Sequence, residues 1–240
     1  MAAIGPVAAA SRAGRAMSST YVPGVTPNPF ERYRHIVVEG PIGVGKTTLC
    51  RRLAERYQAQ LVLEEPEDNP FLDRFYRDSA RYALPTQLFF LFQRVNQLRD
   101  LAQQDLFTRH IVGDFLLEKD PLFARLTLSD DELALYHQIF HTLRPQAPTP
   151  DLIVYLQASA DTLVERVQAR GLAMEAGISE EYLRALSEAY SRFFYHLDTV
   201  PVLIVNTENL NPVGRDQDLD LLAEHIVGMR GRREFFNLAR

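Results

Sequence analysis

The sequence predicts a three-layer α/β domain, a parallel sheet of five strands with helices on both faces. Three observations point there. Short apolar runs of strand length recur along the 240 residues, separated by stretches with helical periodicity, as parallel sheets require because their crossovers are helices. The first run leads into Gly40-x4-Gly45-Lys46-Thr47 and then a helix, the form of a phosphate-binding loop. Two later runs end in acids, Glu64-Glu65 and Asp114, at the strand ends where open α/β sheets place their ligands.

Composition agrees and excludes other classes. A hydrophobic fraction of 46% and a charged fraction of 24% are those of a soluble globular protein, and the length suits one domain with a large core. A net charge of −5 argues against general nucleic-acid binding, which needs a basic face. No apolar run approaches the roughly 18 residues of a membrane span. The lone Cys50 fits a reducing compartment. A cytoplasmic protein with neither nucleic acid nor membrane as partner is expected.

In chain order, residues 1–32 read as a flexible tail. Its first 20 residues are rich in Ala, Ser and Gly, with Arg12 and Arg15 and no acid, a composition shared by transit peptides and disordered tails. Strand one covers 36–38. In the loop, Gly40, Gly43, Val44 and Gly45 turn backbone N–H groups around an anion, and the following helix N-terminus adds positive charge. Lys46 would reach the β- and γ-phosphates, Thr47 would help hold magnesium, and Thr48 completes the loop. The helix over 46–57 is followed by strand two at 61–63, ending in Glu64-Glu65-Pro66.

Helices over 70–76 and 85–104 come next. Residues 88–92 of the second are apolar nearly all round, so it needs a second buried side, which a subunit interface would supply. Strand three, 110–113, ends in Asp114, and a helix carrying Leu116 to Leu126 follows. Ser129-Asp130-Asp131-Glu132 opens another with acids suited to an N-terminus, ending before the proline-rich stretch 145–150. Strand four is 152–156, a helix spans 161–170, and Ser179 caps a helix over 180–197. Strand five is 202–205, a helix covers 218–229, and 231–240 reads as a C-terminal tail beyond a domain of 33–230.

Three sets of residues carry chemistry. Asp114, after an apolar strand, suits magnesium. Glu65, held in extended backbone by Pro66, can accept a proton from an attacking hydroxyl. Arg166 and Arg170 share a helix face before Gly171 and Glu175, which suits a lid over about 166–178 that closes on ATP and stabilises moving charge. The six histidines lack metal-ligand spacing.

Gly-Pro-Ile-Gly-Val-Gly-Lys-Thr-Thr at 40–48, Glu65-Pro66, Tyr76 with Gln87 and Arg94, and Arg166-x3-Arg170-Gly171 leading to Glu175 and Ile178-x2-Glu181-Tyr182-Leu183 together resemble the deoxyribonucleoside kinases. The resemblance spans about 33–206 and is nearest the bacterial deoxyadenosine/deoxyguanosine kinase branch. It implies a P-loop kinase fold of five parallel strands with an arginine-bearing lid, and a homodimer. It also implies ATP- and Mg2+-dependent transfer of the γ-phosphate to the 5′-hydroxyl of a deoxyribonucleoside, a purine one. By position it makes Glu65 the base, assisted by Arg94. Tyr76 and Glu175 would bind the sugar 3′-hydroxyl, Gln87 would make paired hydrogen bonds to the nucleobase, and Phe75 or Phe90 would stack on it.

Two departures stand out. Relatives follow the strand-three acid with Arg-Ser, whereas this chain has Asp114-Phe115 and then Glu118-Lys119-Asp120, leaving Lys119 as the candidate for charge at the substrate. The lid carries Leu172 and Ala176 where arginine and glutamine are common. These departures keep two alternatives open, a nucleotide-binding scaffold without turnover and a nucleoside monophosphate kinase using Arg74, Arg77 and Arg81.

Overall fold

The computed structural model describes residues 27–104, 110–143, 148–172 and 175–238. Residues 1–26 of the expected N-terminal tail, 144–147 of the proline-rich stretch and 173–174 of the expected lid lie outside the described residues.

Among the described residues, the sheet is parallel throughout and has six strands: β1 (His35–Glu39), β2 (Gln60–Val62), β3 (Ile111–Gly113), β4 (Leu152–Gln157), β5 (Val202–Asn206) and β6 (Arg233–Phe236), in the order β2-β3-β1-β4-β5-β6. The first five lie where their apolar runs placed them. The sixth corrects the expectation of five strands and a C-terminal tail. Arg233-Glu234-Phe235-Phe236 has no apolar run to announce it. Tertiary contacts create the strand: it pairs in register with the open edge of β5, Val202 against Arg233 and Val205 against Phe236, and the Phe236 ring stacks on His225 with centroids 4.1 Å apart.

Among the described residues, eight helices surround the sheet: α1 (Lys46–Tyr57), α2 (Leu72–Arg77), α3 (Ser79–Gln104), α4 (Asp120–Thr127), α5 (Asp130–Leu143), α6 (Ala160–Arg170), α7 (Glu180–His196) and α8 (Asp216–Gly228). Every residue of β1 is buried, and successive side chains point to opposite faces. Ile36 and Val38 join Leu49 and Leu53 of α1 and Leu222 and Ile226 of α8 in one core. Val37 joins Tyr190 and Phe194 of α7 in the other. A third cluster ties α3 and α5 to Ile111 and Phe115.

Two helix starts differ from expectation in ways that position the site. Helix α3 begins at Ser79 and contains Pro85, tolerating one missing intrahelical hydrogen bond. The single helix expected after strand three is a short 3₁₀ turn, Leu117–Lys119, followed by α4. This sharper turn carries Lys119 and Asp120 into the interior, 1% and 0% exposed.

Candidate active site

The parallel order puts the ends of β1, β3 and β2 side by side. The phosphate loop leaves β1, Asp114 follows β3, and Glu64 lies just beyond β2. Gly40 has φ +152°, and an added Cβ would come within 2.5 Å of the Leu156 carbonyl oxygen, so the loop turns against β4 where a larger residue would displace it. Gly45, with φ +102°, opens α1 without a side-chain cap, leaving its first N–H groups available to an anion. The Lys46 ammonium donates to the carbonyls of Gly40 at 2.8 Å and Pro41 at 3.2 Å. Burial, together with Lys119, lowers its pKa, against the pull of Glu39, Glu64 and Asp114.

Thr47 Oγ1 donates to Asp114 Oδ2 at 2.5 Å, and Asp114 Oδ1 accepts the Glu64 N–H at 2.8 Å. Burial, then the nearby Glu64 charge, raises the Asp114 pKa, with the Thr47 hydrogen bond opposing. These contacts join the loop, β3 and the end of β2 into one rigid floor.

A cleft of about 980 Å³ opens above that floor. Its wall includes Lys46, Thr47, Glu64, Tyr76, Gln87, Arg94, Asp114, Lys119, Arg170 and Glu175, with Phe75 and Phe90 among its apolar members. All five residues expected to bind substrate, Tyr76, Gln87, Arg94, Lys119 and Glu175, are therefore gathered in one cavity. Glu65 is not: it is exposed and outside the wall. The carboxylate that enters is Glu64, one position earlier, and it, instead of Glu65, is the partner of Arg94. Arg94 Nε donates to Glu64 Oε1 at 2.6 Å, and Nη2 pairs with the same oxygen. Burial would raise the Glu64 pKa, but Arg94, then Lys119 and Lys46, hold it well below the usual carboxylate range.

Behind this pair sits Asp120, a residue to which the sequence assigned no role, inside the helix expected over Leu116 to Leu126. The fully buried Asp120 carboxylate accepts from Arg94 Nη1, from the Tyr136 hydroxyl and from Gln87 Nε2, the last at 2.5 Å. Gln87 Nε2 also donates to the Asp120 carbonyl at 3.2 Å. In this structure the Gln87 amide nitrogen, expected to take part in paired hydrogen bonds to a nucleobase, is committed to Asp120, which leaves its carbonyl oxygen as the other polar atom of the side chain. Asp-Pro at 120–121 was the only signal available, and it reads equally well as a surface cap.

The lid arginines divide. Arg170 reaches the cleft wall, donating to Glu175 Oε2 at 3.1 Å and pairing with Oε1. Arg166 is turned to a second hollow and donates to Thr207 Oγ1 at 3.0 Å and to the Thr207 carbonyl at 2.8 Å. That hollow, about 1100 Å³, is lined by Val44, Gly45 and Thr48 on the other side of the loop, and Arg170 touches both spaces. An added Cβ at Gly177 would meet the Tyr76 carbonyl oxygen at 3.0 Å, so the segment after α6 packs tightly on α2. Tyr76 is held in its neutral phenol form chiefly by burial, then by Tyr182 and Glu175. Arg74, Arg77 and Arg81 are exposed and outside the cleft wall.

Comparison with known proteins decides the family. The family model described as deoxynucleoside kinase matches residues 36–227. The chain belongs to the deoxynucleoside kinase family. Among curated relatives of this kinase, deoxyguanosine kinase of Bacillus subtilis is 34% identical over 196 residues, covering 80% of this chain and 95% of that one. Deoxyadenosine kinase of Dictyostelium discoideum is 31% identical over 191 residues, 77% of each. The solved deoxyadenosine kinase from M. mycoides superposes with a TM-score of 0.71 over 81% of this chain and 99% of that one, at 23% identity, a likeness of fold. No helix among the described residues is long and apolar enough to cross a membrane.

Proposed function

We propose that this kinase transfers the γ-phosphate of ATP to the 5′-hydroxyl of a purine deoxyribonucleoside, with Glu64 as the base. The observation that carries this is a single one: an ionised carboxylate in the cleft, held by Arg94 and tied through its own N–H to Asp114 and hence to Thr47 of the phosphate loop. Donor and acceptor would then meet over the shared floor. Lys46 would turn from the Gly40 and Pro41 carbonyls to the β- and γ-phosphates. Glu64 orients the hydroxyl and takes its proton as the O–P bond forms. A low pKa suits this role, because phosphoryl transfer proceeds through a loose transition state and gathers little charge on the nucleophile until late.

Thr47 and Asp114, hydrogen-bonded to each other here, offer oxygens of the kind magnesium takes together with phosphate and water, and would part to hold such an ion. Such an ion would neutralise charge on the β- and γ-phosphates. Tyr76 and Glu175 on opposite elements suit the sugar 3′-hydroxyl. Gln87 Oε1 can accept from a nucleobase amino group, while Phe75 and Phe90 supply faces for its ring. Arg170 is placed to stabilise the moving charge, and Arg166 would hold the donor side near Thr207. The purine assignment draws on relatives named for deoxyguanosine and deoxyadenosine. A phosphorylated acceptor would need cations in the cleft beyond those tied to carboxylates, and Arg74, Arg77 and Arg81 lie outside it.

Incubation with ATP, magnesium and each deoxynucleoside, ribonucleoside and nucleoside monophosphate, read by product mass, tests the proposal. The expected products are dGMP or dAMP, and turnover confined to monophosphates would overturn it. A cytoplasmic homodimer belongs to the same reading, supported by the exposed Phe92 of α3 and Leu135 of α5 on neighbouring helices. Light scattering at micromolar concentration should give twice the chain mass.

A further inference from the structure

Beneath Glu64 lies a second, deeper ion pair. Lys119 Nζ sits 2.9 Å from Glu39 Oε1 and 3.6 Å from Glu64 Oε1, with side chains 1% and 0% exposed for Lys119 and Glu39. Glu39 is the last residue of β1, and both its oxygens are occupied. Oε1 also accepts the Leu116 N–H at 2.7 Å, and Oε2 accepts the Gly40 N–H at 3.1 Å and the Tyr190 hydroxyl at 3.4 Å. The pair is thereby fixed to the strand end, to the first residue of the phosphate loop and to α7.

Stability alone is a poor reason for such a pair. Desolvating two ions costs about as much as their attraction returns, so apolar residues of similar volume usually serve a core as well. What an apolar pair would not supply is a fixed positive charge under the base. The closest approach of Arg94 and of Lys119 to Glu64 is in each case to Oε1. That leaves Oε2 for the cleft. We infer that Lys119, anchored by Glu39, is a positioning residue that clamps Glu64 through Oε1, so that Oε2 is presented to the acceptor 5′-hydroxyl. This rests on Glu64 being the base.

In the step itself the 5′-oxygen bonds to the γ-phosphorus, its proton passes to Glu64 Oε2, and the bond from the γ-phosphorus to the bridging oxygen breaks, leaving ADP with the electron pair. Lys119 exchanges no proton. Its effect is on the orientation of the carboxylate, which places it in kcat and not in substrate affinity.

The test is a double-mutant cycle in the full-length protein with ATP, magnesium and deoxyguanosine. E39Q/K119M removes both charges, so that no unpaired carboxylate stays buried, and is compared with the parent, E64Q and the combined triple variant. Thermal melting with and without ATP verifies folding and donor binding. The expected result is a kcat about 10-fold lower with KM changed less than about twofold, and no further loss when the change is added to E64Q. A folded E39Q/K119M that keeps kcat within about twofold while E64Q is inactive overturns the clamp and leaves the base standing. Equal losses in the parent and E64Q backgrounds also overturn it, since Lys119 would then act independently of Glu64. Undiminished turnover by E64Q removes the base assignment and the clamp with it. Should E39Q/K119M not fold, E39Q/K119Q, which keeps an amide-to-amide hydrogen bond, carries the same measurements with the same deciding outcomes.

Discussion

Glu64 and Glu65 are chemically identical and adjacent, yet in extended backbone consecutive side chains leave opposite sides. One enters the cleft and the other meets water. Pro66 keeps Glu65 out of the helical region, at φ −120° and ψ 73°, but does not decide which of the two faces inward, because that depends on where β2 sits beside β3. The register Leu61 against Val112 and Val62 against Gly113 settles it, and register is a one-residue choice that flips every side chain. Glu64→Gln should lower kcat by at least about 100-fold, whereas Glu65→Gln should stay within about twofold, measured at saturating ATP and deoxyguanosine. The Glu64 environment also sets a sign for stability against pH. Its folded pKa lies below the ordinary value of 4.5, so its contribution is fully present above that value and is lost as pH falls through the lower folded one. Urea titrations should show the parent's advantage over Glu64→Gln intact at pH 6 and shrinking below pH 4.5. A constant or growing difference would contradict the pairing with Arg94. Asp120 was illegible for a related reason: its burial follows from the 3₁₀ turn before α4, and no local pattern encodes that turn.

At the scale of elements, strands with apolar runs and helices with clear caps were legible, and Ser179 does accept from the Tyr182 N–H as a cap should. What local patterns missed were elements made by their neighbours. Strand β6 exists because β5 offers an unpaired edge and because Phe236, 8% exposed, fills the space over His225. Arg233 adds a hydrogen bond from Nη2 to the Leu197 carbonyl at 2.5 Å. Phe236→Ala should cost about 3 kcal/mol of unfolding free energy, read by chemical denaturation, and an unchanged midpoint would mean that the strand contributes nothing to the fold. The division of labour between Arg166 and Arg170 was equally hidden. Four residues apart they share a helix face, but the phosphate loop passes beneath that face, so one turn of helix separates the two sides of the site.

Across the whole molecule, the order β2-β3-β1 brings together acids and a loop separated by dozens of residues in sequence, and the switch of direction beside β1 is where open α/β sheets bind their ligands. The class of site was therefore legible from the glycine-rich loop and the acidic strand ends, while the inner arrangement was not, because it hangs on buried polar partners from β1, α3, the 3₁₀ turn, α4 and α5. Cys50 shows how tightly that centre is closed. It is 0% exposed, its thiol lies 3.3 Å from the Gly113 carbonyl, and burial pushes its pKa well up. A thiol reagent should leave the native protein unlabelled for hours and modify it fully once denaturant is added; rapid labelling of the native state would show that the sheet opens beside the phosphate loop.

Asp120 holds with one carboxylate both Gln87, the glutamine proposed to face the nucleobase, and Arg94, the arginine that grips the proposed base Glu64. Under the proposed roles, recognition and rate are mechanically geared to each other. A lineage that re-tunes Gln87 for another nucleobase loosens Asp120, then Arg94, then Glu64, and must recover speed by a compensating change elsewhere. Altered specificity in this scaffold should accordingly arrive as coupled sets of substitutions, with single replacements at Gln87 giving enzymes that are slower on every nucleoside before they are better on a new one.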